Sequence, residues 1–344
     1  MPARDSPLSL LDEYGARTRT VLREYLGIPA TRGAEYMGDA MREYPERAGR
    51  SLRSTLCIAV ARAFGAPADA AVNTAVAIEL LHNAFLVHDD IEDASELRRG
   101  RPTLHAMHGV PIAVNVGDAL TVLSLRPLLD NRKSLGPRVA LRILEEAERM
   151  ARETVEGQAI ELGWRRDNVV DLGEDDYLRM VLKKTCWYTT IFPNRVGVLI
   201  GTQDSLDLDR FLRFGFFVGA AFQIQDDVLN LIGDGKRYGK ELAGDLWEGK
   251  RTLMIVHLLK RAEPDERIRL EAFLAKGRAR KRADEVRWIR DLMGRYGAIE
   301  YSQQVAHGLA GAAQLEFEKN FTYLPESRDL AFVRDLPAWV LHRD

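Results

Sequence analysis

Two short runs in this sequence have the residue types and spacing to gather a divalent cation. The first is Asp89-Asp90-Ile91-Glu92-Asp93. Residues four apart on a helix share a face, so Asp89 and Asp93 would project their carboxylates together and repel unless a cation lies between them. The second is Asp226-Asp227-Val228-Leu229-Asn230, preceded by Gln223 and Gln225. Asp226 and Asn230 again share a face, with Gln223 roughly one turn earlier. Hard oxygen donors of this kind suit magnesium, which takes one or two carboxylates and completes its shell with phosphates and water. For either run alone, a solvated acidic helix end is an equal reading. The second run interrupts a strongly apolar segment, where unpaired carboxylates are costly, and that favours function.

Basic residues supply the counter-charge. Arg98-Arg99 follow the first run in a short loop ending at Gly100, Lys183-Lys184-Thr185 lie in a helical stretch, and Lys240 and Lys250-Arg251 flank Asp245. Arg50 and Arg53 share a helix face. Such side chains hold phosphate oxygens by charge-assisted hydrogen bonds, Arg in a bidentate fork. Each pair alone reads as surface charge. As a set, beside apolar helices, they suit a site that holds a polyanionic head with magnesium and buries an apolar tail.

The elements that must position these groups are helices. Alternating strand patterns are nearly absent, and helical periodicity is broken only by short Gly, Pro, Asn or Asp stretches. The spacing predicts a helix over 67–93, with Pro67 in its first turn, Asp69 at its positive end, and Val76, Leu80, Ala84 and Val87 on its apolar face. A second starts at Glu174-Asp175-Asp176 and runs through Lys184. A third, over 205–231, carries Phe211, Phe214, Phe217, Ala221 and Ile224 and is apolar around much of its circumference, as a buried helix should be. Smaller helical patterns cover 51–64, 139–161, 252–260 and the C-terminal third. A length of 344 residues suggests about two domains, but without a linker or repeat the reading is one all-α bundle over 1–344. The run 276–282, with five positive residues, reads as a solvated helix end.

Composition narrows the classes. Lys+Arg 49 against Asp+Glu 51 leaves a net charge of −2, which gives no electrostatic case for a nucleic-acid partner. Cys57 and Cys186 make neither a disulfide framework nor a metal motif and fit a reducing compartment. Residues 1–11 hold no apolar signal core, and no apolar run reaches the roughly 18–20 residues of a transmembrane span. A cytoplasmic protein without a transmembrane segment is expected.

The run from Leu81 through His82, Asn83, Ala84, Phe85, Leu86, Val87 and His88 to Asp93, continuing to Leu97-Arg98-Arg99-Gly100, resembles the first aspartate-rich region of trans-prenyl diphosphate synthases. Gly157-Gln158, Lys184-Thr185, Phe222-Gln223-Ile224-Gln225-Asp226-Asp227, Gly244-Asp245 and Glu248-Gly249-Lys250 follow in that family's order, so the likeness spans roughly 49–257. The segment 157–167 and the ending Asp227-Val228-Leu229-Asn230 look most like geranylgeranyl diphosphate synthases of the eukaryotic type.

The resemblance implies an all-α isoprenoid-synthase bundle, usually a homodimer, with a central cavity and a magnesium cluster. Asp89, Asp93 and Asp226 would be ligands, supported by Asp90, Asp227 and Asn230. Arg98, Lys184, Lys240 and Lys250 would hold an allylic diphosphate, and Arg50, Arg53, His82 and Arg99 isopentenyl diphosphate. Thr185 and Gln223 would lie near the reacting carbons. Gly49-Arg50 departs from the family's usual Gly-Lys-x-x-Arg, keeping charge but changing geometry. Asn230 stands where many members have Asp, and Trp187-Tyr188 are bulkier than expected, which would narrow the cavity.

In this family, bulk at Phe85, one turn deeper than Asp89 and next to Ala84, would plug the elongation pocket; an ordinary core Phe is the alternative. The expected product has fifteen to twenty carbons, with geranylgeranyl diphosphate favoured over farnesyl diphosphate. Two other readings compete. A terpene cyclase on the same fold would leave Arg50, Arg53, His82 and Arg99 surplus, and a non-catalytic subunit would not need intact aspartate runs. Glu79-x-x-His82 matches half of a di-iron bundle pattern but has no second copy, and His105 and His108 read as structural.

Overall fold

The computed structural model describes residues 9–27, 31–47, 49–233 and 242–342. Among the described residues the chain is all-α apart from one small hairpin, in line with the helical periodicity. The helices are α1 Ser9–Leu26, α2 Glu35–Glu46, α3 Leu52–Ala63 and α4 Val72–Glu92, followed by strands β1 Leu97–Arg98 and β2 Arg101–Pro102. Then come α5 Leu104–His108, α6 Val110–Ser134, α7 Pro137–Arg166 and α8 Glu174–Val181. A π-helical stretch, Leu182–Ile191, leads without a break into α9 Phe192–Thr202, and a 3-10 turn at Leu208–Phe211 leads into α10 Leu212–Ile232. The remainder is α11 Gly244–Glu248, α12 Leu253–Arg261, α13 Pro264–Leu274, α14 Ala283–Arg295, α15 Ala298–Phe321 and α16 Arg328–His342.

The sequence-predicted helix over 67–93 starts later, at Val72, because 68–71 form turns; that over 205–231 starts at Leu212 after the 3-10 turn, that over 139–161 runs on to Arg166, and those over 51–64 and 252–260 agree to within a residue. α3, α4 and α10 are apolar on most sides and sit inside, burying Leu56, Ile58, Val76, Leu80, Phe214 and Val218. A second buried group, including Val228, Leu246, Met254, Ile255, Leu270, Ile289 and Leu292, joins the end of α10 to α11–α14. The two acidic runs thus stand at the C-terminal ends of two buried helices, α4 and α10.

Two backbone features set the site's geometry. Gly157 on α7 lies so close to the π-helical stretch that a Cβ would fall 2.1 Å from the Lys184 amide nitrogen. Wide π turns are rare in proteins and concentrate at functional sites. They re-aim Lys184 and Thr185 here, which the straight helix expected through Lys184 did not foresee. At the hairpin, Arg99 (φ 53) and Gly100 (φ 73) both take left-handed conformations, matching the two-residue turn that right-twisted strands favour.

α6 departs from the composition reading. It contains an 18-residue window of mean hydropathy 1.4, long and apolar enough to cross a membrane by those measures alone. Val116, Leu120 and Leu128 pack inward, while Val114, Val122, Leu125 and Leu129 form an exposed apolar stripe on one face.

Candidate active site

The first acidic run closes α4 and meets cations from three other elements. Asp93 is 2% exposed. Its Oδ1 accepts from Arg165 Nη1 at 2.5 Å and its Oδ2 lies 2.7 Å from Lys250 Nζ. Lys250 Nζ is also 2.7 Å from Glu248 and 3.7 Å from Asp245. Lys184 Nζ donates to Glu161 Oε1 at 2.6 Å and stands 3.4 Å from Asp89 Oδ1. Burial pushes the Asp93 carboxyl up, but Lys250, with Lys184 and Arg165, more than offsets this and leaves it below its ordinary value. Lys250 in turn is held charged: burial works against its ammonium, and Asp93 and Glu248 overcome it.

Asp90 faces the opposite way. It is fully buried, accepts from Tyr44 Oη at 2.5 Å, and takes a fork from Arg98, whose Nε donates to Asp90 Oδ1 at 3.0 Å and whose Nη2 also pairs with it. Arg98 reaches Asp89 only at 3.5 Å. Arg98 differs from the expectation that it holds diphosphate, and Asp90 keeps the supporting role rather than reaching a metal: a side chain next to Asp89 in sequence points about 100° away on a helix, so the two form a buried brace behind the acidic run.

The second run is tied to the π-helical stretch by a relay. Thr185 Oγ1 donates to Gln223 Oε1 at 2.9 Å, Gln223 Nε2 donates to Asp227 Oδ1 at 2.7 Å, and Tyr177 Oη donates to Asp227 Oδ2 at 2.9 Å. Burial, followed by the charge of Asp245 and then of Asp226, pushes the Asp227 carboxyl up to about 8 despite the Gln223 and Tyr177 hydrogen bonds. Asn230 Oδ1 accepts from the Asp245 amide at 3.1 Å and its carbonyl from the Ala243 amide at 2.8 Å. Its amide side chain is thus occupied in bringing Asp245 to the acidic run, not turned outward as a ligand.

Like charge from Asp245 and Asp226 helps to raise Asp227, and a hard cation among these carboxyl groups would relieve that repulsion. Among the described residues, no group of three His, Cys, Asp or Glu side chains stands close enough to hold an ion by itself. The donor set therefore fits an ion whose shell is completed by phosphate oxygens and water, as magnesium's usually is.

A second basic group lies beside the first. Arg53 Nη2 donates to Tyr188 Oη at 3.1 Å and to Thr189 Oγ1 at 3.0 Å, and its Nη1 lies 3.5 Å from His82 Nε2. Arg50 lies over the Trp339 ring, 5.6 Å from its centroid. Arg99, swung across by the hairpin turn, donates to the Arg47 carbonyl at 2.7 Å and covers Gly49. Burial, then the charges of Arg53, Arg99 and Arg98, hold His82 well below the ordinary imidazole value, so the ring is neutral. Tyr188 links this group to Phe85: its ring stacks on His82 at 5.9 Å and takes the Phe85 edge at 5.7 Å. Phe85 is half-buried, while Ala84 is fully buried in the core. Trp187 differs from expectation. It is buried under Arg149, whose guanidinium lies 4.7 Å from the ring centroid, so of the bulky pair only Tyr188 stands beside Phe85.

Lys240 lies outside the described residues. Several residues at the site carried no assignment from sequence: Glu161 and Arg165, Asp245 and Glu248, and Tyr44 and Tyr177. A signal for the first pair was present, since Gly157, Glu161 and Arg165 repeat every fourth residue on one face of α7. The tyrosines had none, because their partners are distant in sequence.

Comparison with known proteins agrees with this geometry. The polyprenyl synthetase family model matches residues 34–293. The chain is 34% identical to the geranylgeranyl pyrophosphate synthase of Geoglobus acetivorans over 306 residues, 89% of this chain and 90% of that relative. It is 30% identical to the octaprenyl diphosphate synthase of Escherichia coli over 266 residues, 77% of this chain and 78% of that relative. A crystal structure of the geranylgeranyl pyrophosphate synthetase from Pyrococcus horikoshii matches with a TM-score of 0.85 at 29% identity, covering 98% of both chains. Aspartate runs at the ends of two buried helices, cations converging on them, and a match across most of the chain place this protein in the polyprenyl synthetase family, as a prenyltransferase with the all-α isoprenoid-synthase fold.

Proposed function

We propose that this protein condenses isopentenyl diphosphate with an allylic diphosphate (dimethylallyl, geranyl or farnesyl) in a magnesium-dependent reaction. The product would have fifteen to twenty carbons, geranylgeranyl diphosphate being favoured. The observation that carries the reading is the pairing of two distinct basic groups. Lys184 and Lys250 stand among the aspartates, and Arg53 and Arg99 stand with His82, with Arg50 nearby in sequence, which suits two diphosphates held side by side.

Lys184 and Lys250, released from Asp89 and Asp93, would bind the allylic diphosphate, and Lys240 is assigned there by resemblance alone. Magnesium, held by Asp89, Asp93 and Asp226, would neutralise charge developing on the leaving diphosphate. Arg98 and Asp90 support Asp89 from behind, and Asp227 and Asn230 support Asp226 through Gln223 and the Asp245 amide. Arg53, Arg50 and Arg99 would hold isopentenyl diphosphate, with neutral His82 keeping that pocket compact. Thr185 and Gln223 would face the allylic carbon as it loses its diphosphate, and the isopentenyl double bond attacks it. The proton then lost from the new bond's neighbour passes to the departing pyrophosphate. Phe85, backed by Tyr188, would stop the growing chain.

The relatives named above include both a geranylgeranyl and an octaprenyl synthase, so product length rests on Phe85. Incubating the purified chain with isopentenyl diphosphate and each primer, with and without magnesium, and weighing the products tests the reading. Elongation undiminished by chelation and by Asp89→Ala would overturn it. Hydrocarbon released from an allylic diphosphate alone would favour a cyclase.

The whole chain is read as one catalytic unit, acting as a cytoplasmic homodimer. The exposed stripe Val114, Val122, Leu125 and Leu129 is the surface a second copy would cover. Sedimentation tests this: Leu125→Arg is expected to shift a dimeric parent to monomer, and a monomeric parent would refute it.

A further inference from the structure

The basic run 276–282, expected from sequence to be solvated, carries one residue that turns inward. Lys281 is 7% exposed. Its Nζ donates to the carbonyl of Leu246 at 2.8 Å and to that of Trp247 at 3.0 Å, and it lies 4.7 Å from the centroid of the Phe273 ring. Both carbonyls belong to the end of α11, where that of Leu246 also accepts from the Gly249 amide at 3.2 Å.

The chain then turns at Gly249, whose φ of 78 favours glycine and where a Cβ would fall 2.9 Å from Lys281 Nζ. Two residues further on, Arg251 folds back, and its Nη1 donates to the Gly249 carbonyl at 2.5 Å. Arg251 is itself buried and braced, with Nε donating to the Val169 carbonyl at 3.2 Å and Nη2 to Asn168 Oδ1 at 2.8 Å. Three carbonyls of this turn are therefore held by two buried basic side chains, and Lys250, between Gly249 and Arg251, sends its ammonium to Asp93 and Glu248.

An ammonium in this position is kept against a penalty. Burial, then the charges of Arg251 and Arg165, push Lys281 down to about 7. An apolar side chain would fill the space without that penalty but could not bind the carbonyls.

We propose that Lys281 is a positioning residue, fixing the backbone from which Lys250 reaches the allylic diphosphate. The inference rests on the role given to Lys250 above. Lys281 acts only through that turn and does not itself meet substrate.

The test is steady-state kinetics on the full chain with Lys281→Met, Lys281→Gln, Lys250→Gln and the Lys250→Gln/Lys281→Met pair. Loss of both hydrogen bonds in Lys281→Met is expected to raise KM for the allylic diphosphate about fivefold while KM for isopentenyl diphosphate stays within about twofold. Lys281→Gln, which keeps a donor, should fall between Lys281→Met and the parent, and it carries the comparison if Lys281→Met does not fold. In the Lys250→Gln background, Lys281→Met should add no further change. Equal rises in both KM values, a fall in kcat alone, or effects that multiply in the double variant would overturn the positioning role. A parent that does not elongate any primer would overturn the functional reading itself, whereas an active parent indifferent to Lys281 overturns only this inference.

Discussion

Lys250 Nζ lies 2.7 Å from Asp93 Oδ2, joining the turn after α11 to the end of α4. Neither residue is near the other in sequence, and each brings a further charged neighbour, Glu248 for Lys250 and Arg165 for Asp93. This pairing holds the site's opposite charges together before any diphosphate arrives.

Asp93→Asn keeps an acceptor oxygen for Arg165 but removes the charge that Lys250 and Arg165 share. Turnover is expected to fall by about a hundredfold or more, the scale seen when an electrostatic group is lost from a reaction centre. Circular dichroism should report a folded chain. A variant within tenfold of the parent would show that Asp93 has no part in the chemistry.

Gly157→Ala places a Cβ 2.1 Å from the Lys184 nitrogen and 2.5 Å from its Cα. Backbone cannot step aside as a side chain would, so α7 and the π-helical stretch must separate. Overpacking of this sort costs about 1–3 kcal/mol, readable as a shift of the urea midpoint, and Lys184 should lose part of its grip on the allylic diphosphate. An unchanged midpoint would mean the two segments are not packed this closely in solution.

Phe85→Ala removes the ring that meets Tyr188 edge-on at 5.7 Å. Mass analysis should find products at least one isoprene unit longer than the parent's. If the product distribution is unchanged, Phe85 is a core residue and the floor lies elsewhere.

His82 determines a pH dependence. Burial and then the neighbouring arginines keep its native pKa well below the ordinary value, so the unfolded chain takes up a proton near pH 6.5 that the native chain refuses. The unfolded state then binds more protons, so stability falls as pH drops below about 6.5, by up to about 1.4 kcal/mol per pH unit. Urea midpoints measured between pH 7.5 and 5 should show a shallower decline for His82→Gln than for the parent. Parallel curves would mean that His82 is protonated in the native state.

Helical spacing alone was enough to place Asp89 with Asp93, and to anticipate buried helices at α4 and α10, because these are local properties of a 3.6-residue turn. The order of the motifs was legible too, and it determined the family. What spacing could not decide was which way neighbours face once other helices pack against them. Asp90 and Arg98 have the charges of a substrate site but brace each other beneath Tyr44, and Asn230 spends its side chain on the Asp245 amide. Lys281, one of five cations in an outwardly ordinary basic run, is buried under α11. Such outcomes depend on desolvation and on partners remote in sequence, and burial is a property of the packed fold rather than of any segment. Residue chemistry and period determined what this protein could hold, and tertiary packing decided which of its charges remain to hold it.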